Sequence, residues 1–485
     1  MNVLQSQIAL TLLPGIGDIS GKKFVQYCGS AEAIFKETRK SLEKITGMRE
    51  VSIDAICKPK EYLKRAEEEI EFIMLLQIRM YFHNIHKKRI KVNRFFVMRA
   101  CIARTSGVNS ADVTNSEKKH QERSVMLYLD NAAAAPPEAE VLEFARTLWE
   151  NDFANQESGH ALGFALRQKI LAAESALSRT FWWREDGRAV WGASCTELFQ
   201  LVAASPLVAG RRVVSSVLEH PALSSALRRE AKEVILLRPE RTAKLVAESV
   251  PGGVSLVALH QVQSELGAVQ DLSALFAAYP GAVRFADAAQ GAGKLPFPDA
   301  DIVAVSGAKL GVPGGGAALL LNPRWDGAAK FAAFAADYRK RDHRLSRVHP
   351  AIPQLIAFAA ERRANAMAQA AETARSFDLA VRSRLGGTKI RPTLRSEDAS
   401  PFILHLSCPG MQGAVLMRML SEENVIVSAG SACAAESRDP SPALLALGYS
   451  RSAAYGALRI SVGWRISPES ADILLSALEK VLQNY

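Results

Sequence analysis

The chain has 485 residues, 48% of them hydrophobic, enough for two or three domains with sizeable cores. Its net charge of +10 is uneven: residues 1–125 hold 22 Lys and Arg against 14 Asp and Glu, or +8, and the remainder carries only +2. Six scattered cysteines (Cys28, Cys57, Cys101, Cys195, Cys408 and Cys433) exclude a disulfide framework and show no metal-ligand spacing, so no metal is expected.

The opening MNVLQSQIALTLLPG lacks a positive n-region and a long apolar core, so no signal peptide is read there. Ile70 to Phe82 is apolar but too short to span a bilayer, and Arg79 interrupts it. A cytoplasmic, reducing setting without a membrane partner is expected. Residues 1–70 read as a compact helical module. There LTLLPGIGDISGKKFVQYCGS sets a Pro-Gly-Ile-Gly turn before an amphipathic segment, with Lys22 and Lys23 near its start. Backbone N–H groups at such a turn can face a phosphate. The pattern resembles a helix-hairpin-helix, and more narrowly the N-terminal module of the DNA-processing protein DprA, which implies DNA as a partner. A helical appendage without a ligand is the alternative. Residues 71–125 begin basic and end polar with no sustained period, and read as an irregular or disordered linker. Lys, Ile and Glu dominate before it, Ala and Arg after it, as if two histories were joined.

From Met126 apolar strands alternate with helical segments: Val213–Val217, Glu233–Leu237, Val254–Leu259, Val283–Phe285, Ile302–Ser306 and Ala317–Leu321. That alternation predicts an α/β large domain over 126–385, a mostly parallel sheet wrapped by helices. An Ala-rich helical run from Gln354 to Leu385 leads to a smaller domain over 386–485, with strands at Pro401–Leu406, Val425–Val427 and Leu458–Val462. The last helix is expected to open with Ser467 as N-cap and Pro468 in its first turn. It spaces Ile473, Leu474, Leu478 and Val481 along one face.

Chemistry concentrates in FADAAQGAGKLPFPDADIVAVSGAKLGVPGGG, from Phe285 to Gly316. Lys309 follows a buried strand and precedes a glycine-rich turn, which suits a Schiff base with an aldehyde cofactor. Asp287 ends a neighbouring strand, which suits pairing with a protonated pyridine nitrogen. Those are the two protein groups that pyridoxal 5'-phosphate most needs.

Motifs over 126–485 then resemble, in order, the NifS/IscS-like cysteine desulfurases of the class V aminotransferase fold. They are YLDNAA from Tyr128, NQESGHALG from Asn155, Cys195-Thr196-Glu197, Glu219-His220, Ser264-Glu265-Leu266-Gly267 and Asp287-Ala-Ala-Gln290. Ser306-Gly-Ala-Lys309, GSAC at Gly430–Cys433 and Arg459-Ile-Ser461 complete the series. The resemblance implies the type I fold of pyridoxal-phosphate enzymes, with a large seven-stranded-type sheet domain and a small α+β domain. It also implies a homodimer, L-cysteine as substrate, and a sulfur-acceptor protein serving iron–sulfur cluster or thio-cofactor and tRNA synthesis.

By that resemblance Lys309 holds the cofactor and moves protons, Asp287 keeps the ring nitrogen protonated, and His220 stacks on the ring and assists proton transfer. Gln290 and Ser264 lie near the phenolic oxygen, and Thr196 and Ser306 offer hydroxyls to the phosphate. Arg459, with Asn131, binds the substrate carboxylate. Cys433 sits in SAGSACAAESRDPSP, a small-residue, polar stretch unlike a core, and is the expected nucleophile that takes the sulfur. Cys195 and Cys408 sit in apolar surroundings and are expected to pack as small hydrophobes. The pattern departs at Ala308, where a histidine is usual, at Ser264 in place of asparagine, and at Ser346-Arg347-Val348-His349 in place of Arg-Ser-Gly-Thr. His349 is the expected substitute for a lost phosphate contact, in its own subunit or in a neighbouring one. The alternatives are another class V enzyme (an aminotransferase, or a selenocysteine or cysteine-sulfinate lyase) or a DNA-binding protein with a degenerate enzyme domain.

Overall fold

The computed structural model describes residues 126–485 apart from 251, 342–346, 387, 431–439 and 468. Before these it describes 28–66 apart from 44, 46–49 and 61, together with Ser6, Ala9, Leu10, Leu13 and Val25. The chain divides into two units, 1–123 and 124–485.

In the first unit, Ala31–Ile34, Arg39–Leu42 and Glu50–Cys57 are helical. Hydroxyls start the first two: Ser30 Oγ accepts from the Ala33 N–H and Thr38 Oγ1 from the Ser41 N–H. Ile34, Leu42, Ile53 and Ile56 close a small core. The expected Pro14–Gly17 turn, with Lys22 and Lys23, and the linker 71–125 lie outside the described residues.

The second unit starts with β1 (Leu127–Tyr128) and continues with β2 (Arg188–Gly192), β3 (Arg212–Ser216), β4 (Glu233–Leu237), β5 (Leu256–His260), β6 (Val283–Asp287), β7 (Ile302–Ser306) and β8 (Ala317–Leu321). β2 to β8 form one sheet in the order β2-β8-β7-β6-β5-β3-β4, parallel except where β8 runs against β2 and β7. β5, β7 and β8 are buried at every position, so LVALH, IVAVS and AALLL read as nearly unbroken apolar runs. Val257, Leu259, Val303 and Val305 face Leu355 and Ile356 of the helix Ala351–Arg384. Leu256, Ala258, Ile302 and Ala304 face Leu198 and Leu223, from the helices Cys195–Ala203 and Pro221–Glu230.

The 34-residue helix Ala351–Arg384 carries the chain onward, and its later residues Ala374, Phe377 and Val381 enter a second core. There β9 (Arg391–Pro392), β10 (Ile403–Ser407) and β12 (Ala457–Ser461) form an antiparallel sheet, and β11 (Val425–Ile426) pairs with β1 in parallel. Leu127 and Tyr128, read from sequence as the start of the large domain, therefore pair with the C-terminal part. β2 escaped the sequence reading because RAVWG is flanked by charge and carries only two large apolar residues.

The last helix also differs from expectation. It runs Ser470–Asn484, with Glu469 at the cap position, and the Ser467 carbonyl accepts from the Ser470 N–H. Leu474, Leu475, Leu478 and Val481 are buried, whereas Ile473 is 43% exposed. At 100° per residue Ile473 falls off the stripe that Leu474, Leu478 and Val481 share. No helix among the described residues is long and apolar enough to cross a membrane.

Candidate active site

The carboxyl ends of β2, β3, β5, β6 and β7 share one edge of the sheet, where open α/β folds bind ligands. A cavity of about 370 Å³ lies there, lined by residues from each of those ends.

Its anion-binding wall comes from local sequence. β2 passes through Ser194 into the helix Cys195–Ala203. Ser194 Oγ accepts from the Glu197 N–H, and Glu197 Oε2 accepts from the Ala193 N–H. This reciprocal cap holds the helix start open toward the cavity, with Thr196 exposed in its first turn. A helix N-terminus favours negative charge. Ser306 ends β7 opposite, and Gly307 follows where a Cβ atom would meet the Gly315 carbonyl oxygen at 2.3 Å. Only bare backbone fits that approach.

Lys309 ends the short 3₁₀ turn Gly307–Lys309, and its Nζ donates to the Ala133 carbonyl at 2.6 Å. Asp287 closes β6 and accepts from the Ala289 N–H at 2.9 Å. Burial pushes its carboxyl up to about 6. Gln290 donates through Nε2 to the Ala132 carbonyl at 2.8 Å, and its buried Oε1 has no hydrogen-bond partner among the described residues. His220 caps the helix Pro221–Glu230 by accepting the Ala222 N–H at Nδ1, which places any ring proton of the neutral form on Nε2. Burial and then the Lys309 charge lower its pKa, so the imidazole is neutral at pH 7.

The C-terminal part contributes Arg459, only 2% exposed, from β12. Its guanidinium donates to Asp130 Oδ1 at 2.7 Å and to the Ser264 carbonyl at 2.9 Å. Ser264 lines the cavity as well. Asn131 does not: its amide donates to the carbonyls of Ser461 at 3.0 Å and Tyr128 at 3.3 Å, tying the opening strand to β12. Cys433 lies outside the described residues, but both flanks of 431–439 border the site. Pro442 and Ala443 line the cavity, and a Cβ at Gly430 would sit 3.3 Å from Glu265 Oε1.

Cys408 is buried, as its apolar neighbourhood predicts, and burial pushes its thiol up to about 12. Cys195 differs: it lines the cavity beside Ser306, because the first turn of its helix opens there, although burial also holds its thiol near about 12. His349 is elsewhere. Its Nδ1 accepts the Ala351 N–H and its ring stacks on Trp149 at 5.2 Å, and it is not among the cavity residues. Ala308 leaves its position in the wall without a polar side chain.

Two further residues line the cavity, Glu219 and His260, and the sequence analysis assigns a role to neither. His260 ends β5 as Asp287 ends β6, at the same register, so the strand-end rule that found Asp287 would have found it too.

Residues 127–474 match the aminotransferase class-V family. The chain belongs to that family. Family relatives include the cysteine desulfurase IscS of Anaeromyxobacter sp. (strain K), 26% identical over 370 residues, covering 72% of this chain and 90% of the relative. That of Shewanella sp. (strain ANA-3) is 29% identical over 385 residues, covering 74% and 92%. Among solved structures, a NifS-like protein from Rickettsia africae ESF-5 superposes with TM-score 0.64 at 17% identity, covering 74% of this chain and 99% of that one. The fold is the type I fold of pyridoxal-phosphate enzymes, and that group is the family's cofactor. The residues present fit it: an amine, a buried carboxylate, a hydroxyl-and-amide wall for a phosphate, and an unpartnered buried Gln290 oxygen in one cavity.

Proposed function

We propose that the chain is a pyridoxal-phosphate cysteine desulfurase. Its net reaction converts L-cysteine and the Cys433 thiol to L-alanine and a Cys433 persulfide: the carbon–sulfur bond breaks and a sulfur–sulfur bond forms. A sulfur-acceptor protein then takes the sulfur. The observation that carries the reading is Lys309 and Asp287 lining one cavity bordered by both flanks of the stretch that bears Cys433. The relatives named cysteine desulfurase, which align along nine-tenths of their length, support it.

Bound pyridoxal phosphate supplies an aldehyde for amino groups and a ring that accepts electron density from the α-carbon. Lys309 would hold that group through its amine and carry a proton to and from the substrate α-carbon. Asp287, once ionised, would hold the proton on the ring nitrogen. Neutral His220 would lie against the ring and could donate through Nε2. Thr196, Ser306 and the start of the helix Cys195–Ala203 would hold the phosphate. Arg459 presents a planar fork, oriented by Asp130, to the substrate carboxylate. The large lobe and the part beyond Arg384 act as the two domains of this site. The enzyme works as a homodimer, for which exposed Phe153, Leu162 and Phe164 offer apolar surface.

Incubation of purified protein with L-cysteine tests the reading. Alanine, sulfide in the presence of a thiol, and one added sulfur atom on the peptide containing Cys433 are expected. Pyruvate or an amino-group exchange without alanine would overturn it.

A further inference from the structure

We propose that Tyr128 is a positioning residue for the site: its hydroxyl closes the turn over residues 130–134, whose carbonyls take the Gln290 amide and the Lys309 amine. The inference rests on the pyridoxal-phosphate reading above.

The segment that follows β1 meets the site at several points. The Ala132 carbonyl accepts from Gln290 Nε2 at 2.8 Å, and the Ala133 carbonyl accepts from Lys309 Nζ at 2.6 Å. The Ala135 N–H then donates at 2.9 Å to the Ala308 carbonyl, one residue before Lys309. Yet residues 132–135 are all alanine, and a methyl group can hold no carbonyl in place. The turn must be fixed by groups outside it.

Its first half is fastened to β12. The Asn131 amide donates to the Ser461 carbonyl at 3.0 Å, the Ala132 N–H donates to Ser461 Oγ at 2.9 Å, and Asp130 accepts from Arg459 at 2.7 Å. The second half, which carries the Ala133 carbonyl, is where Tyr128 acts. Its hydroxyl donates to the Ala134 carbonyl at 2.9 Å and to the Asp130 carbonyl at 3.1 Å, so one side chain joins the two ends of the turn. Lysine carries its amine on a flexible four-carbon stem. The place of the Ala133 carbonyl therefore sets where the Lys309 amine waits for the cofactor's aldehyde. A shift of about 1 Å in a reacting group is enough to slow a reaction severely.

Tyr128→Phe removes the hydroxyl and keeps the ring. Ser255→Ala is the control: the Ser255 hydroxyl also bridges two backbone carbonyls, Leu207 at 2.6 Å and Arg212 at 3.0 Å, but beside the amino end of β5, away from the cavity. Circular dichroism checks the fold of each variant. Apo-protein is titrated with pyridoxal phosphate, read by visible absorbance. Separately it is treated with acetic anhydride, and acetylation of Lys309 is followed by peptide mass. Tyr128→Phe should weaken cofactor binding about threefold to tenfold, the effect of losing one or two neutral hydrogen bonds. A carbonyl acceptor favours the charged amine, so acetylation of Lys309 should quicken by about threefold when that carbonyl is no longer held. Ser255→Ala should match wild type in both measurements. A Tyr128→Phe protein equal to wild type in cofactor affinity or in Lys309 acetylation would overturn the assignment. So would changes of the same size in Ser255→Ala, which would mark a general loosening. Wild-type protein that takes up no pyridoxal phosphate would instead overturn the cofactor reading, and acetylation would still decide the role of Tyr128.

Discussion

Replacing Asp287 by asparagine should strengthen the apo-fold while weakening the holoenzyme. Asp287 is almost wholly buried, and desolvation is the first cause of its raised pKa, about 6 against an ordinary 3.8. Its native-state pKa lies above the unfolded value, so the ionised carboxylate opposes folding. That penalty is absent below about pH 3.8, grows as the pH rises and is complete above about pH 6. At about 1.36 kcal/mol per pH unit, the separation amounts to at most about 3 kcal/mol. Asparagine keeps an oxygen for the Ala289 N–H, so the hydrogen bond survives and only the charge is lost. Urea denaturation of the two apo-proteins at pH 8 should therefore favour Asp287→Asn by about 1–3 kcal/mol, with the gap closing toward pH 4. Saturating pyridoxal phosphate should reverse the order, because only the carboxylate pairs with a protonated ring nitrogen. An apo-Asp287→Asn protein that is less stable than wild type at pH 8 would refute the reasoning.

Arg459→Lys should raise the KM for L-cysteine by about tenfold or more with a smaller change in kcat, since a single ammonium cannot serve Asp130, the Ser264 carbonyl and a substrate carboxylate together. Steady-state alanine formation checks this. Gly307→Ala drives a methyl group to 2.3 Å from the Gly315 carbonyl oxygen and should destabilise the fold by about 1–3 kcal/mol, measured as a lower thermal midpoint. Cys433→Ser should retain cofactor absorbance and L-cysteine binding but lose alanine and persulfide formation by about 100-fold or more. A serine variant that still releases sulfur would point to another nucleophile.

Much of this architecture was legible without coordinates. Glu233–Leu237, Ile302–Ser306 and Ala317–Leu321 occupy their predicted bounds, because uninterrupted short apolar runs leave a chain few ways to bury itself. β1, β2 and β9 were not read: two are only two residues long, and the third carries charge at its start. Lys309, Asp287 and Gln290 stood out because each follows a predicted strand, and parallel strands deliver their ends to one edge. The motif position of His349 says nothing of the ring it stacks on, Trp149.

The order of residues by itself determined the long apolar strands, the family motifs and the candidate chemistry, since periodicity, glycine placement and residue type act over short stretches. Only tertiary structure decided that Arg459 is anchored by Asp130, 329 positions away, and that Glu219 meets His260 across 41. It also decided which of these groups lose their water. Protonation follows from burial and from neighbours in space, and neither quantity exists until the chain has closed on itself.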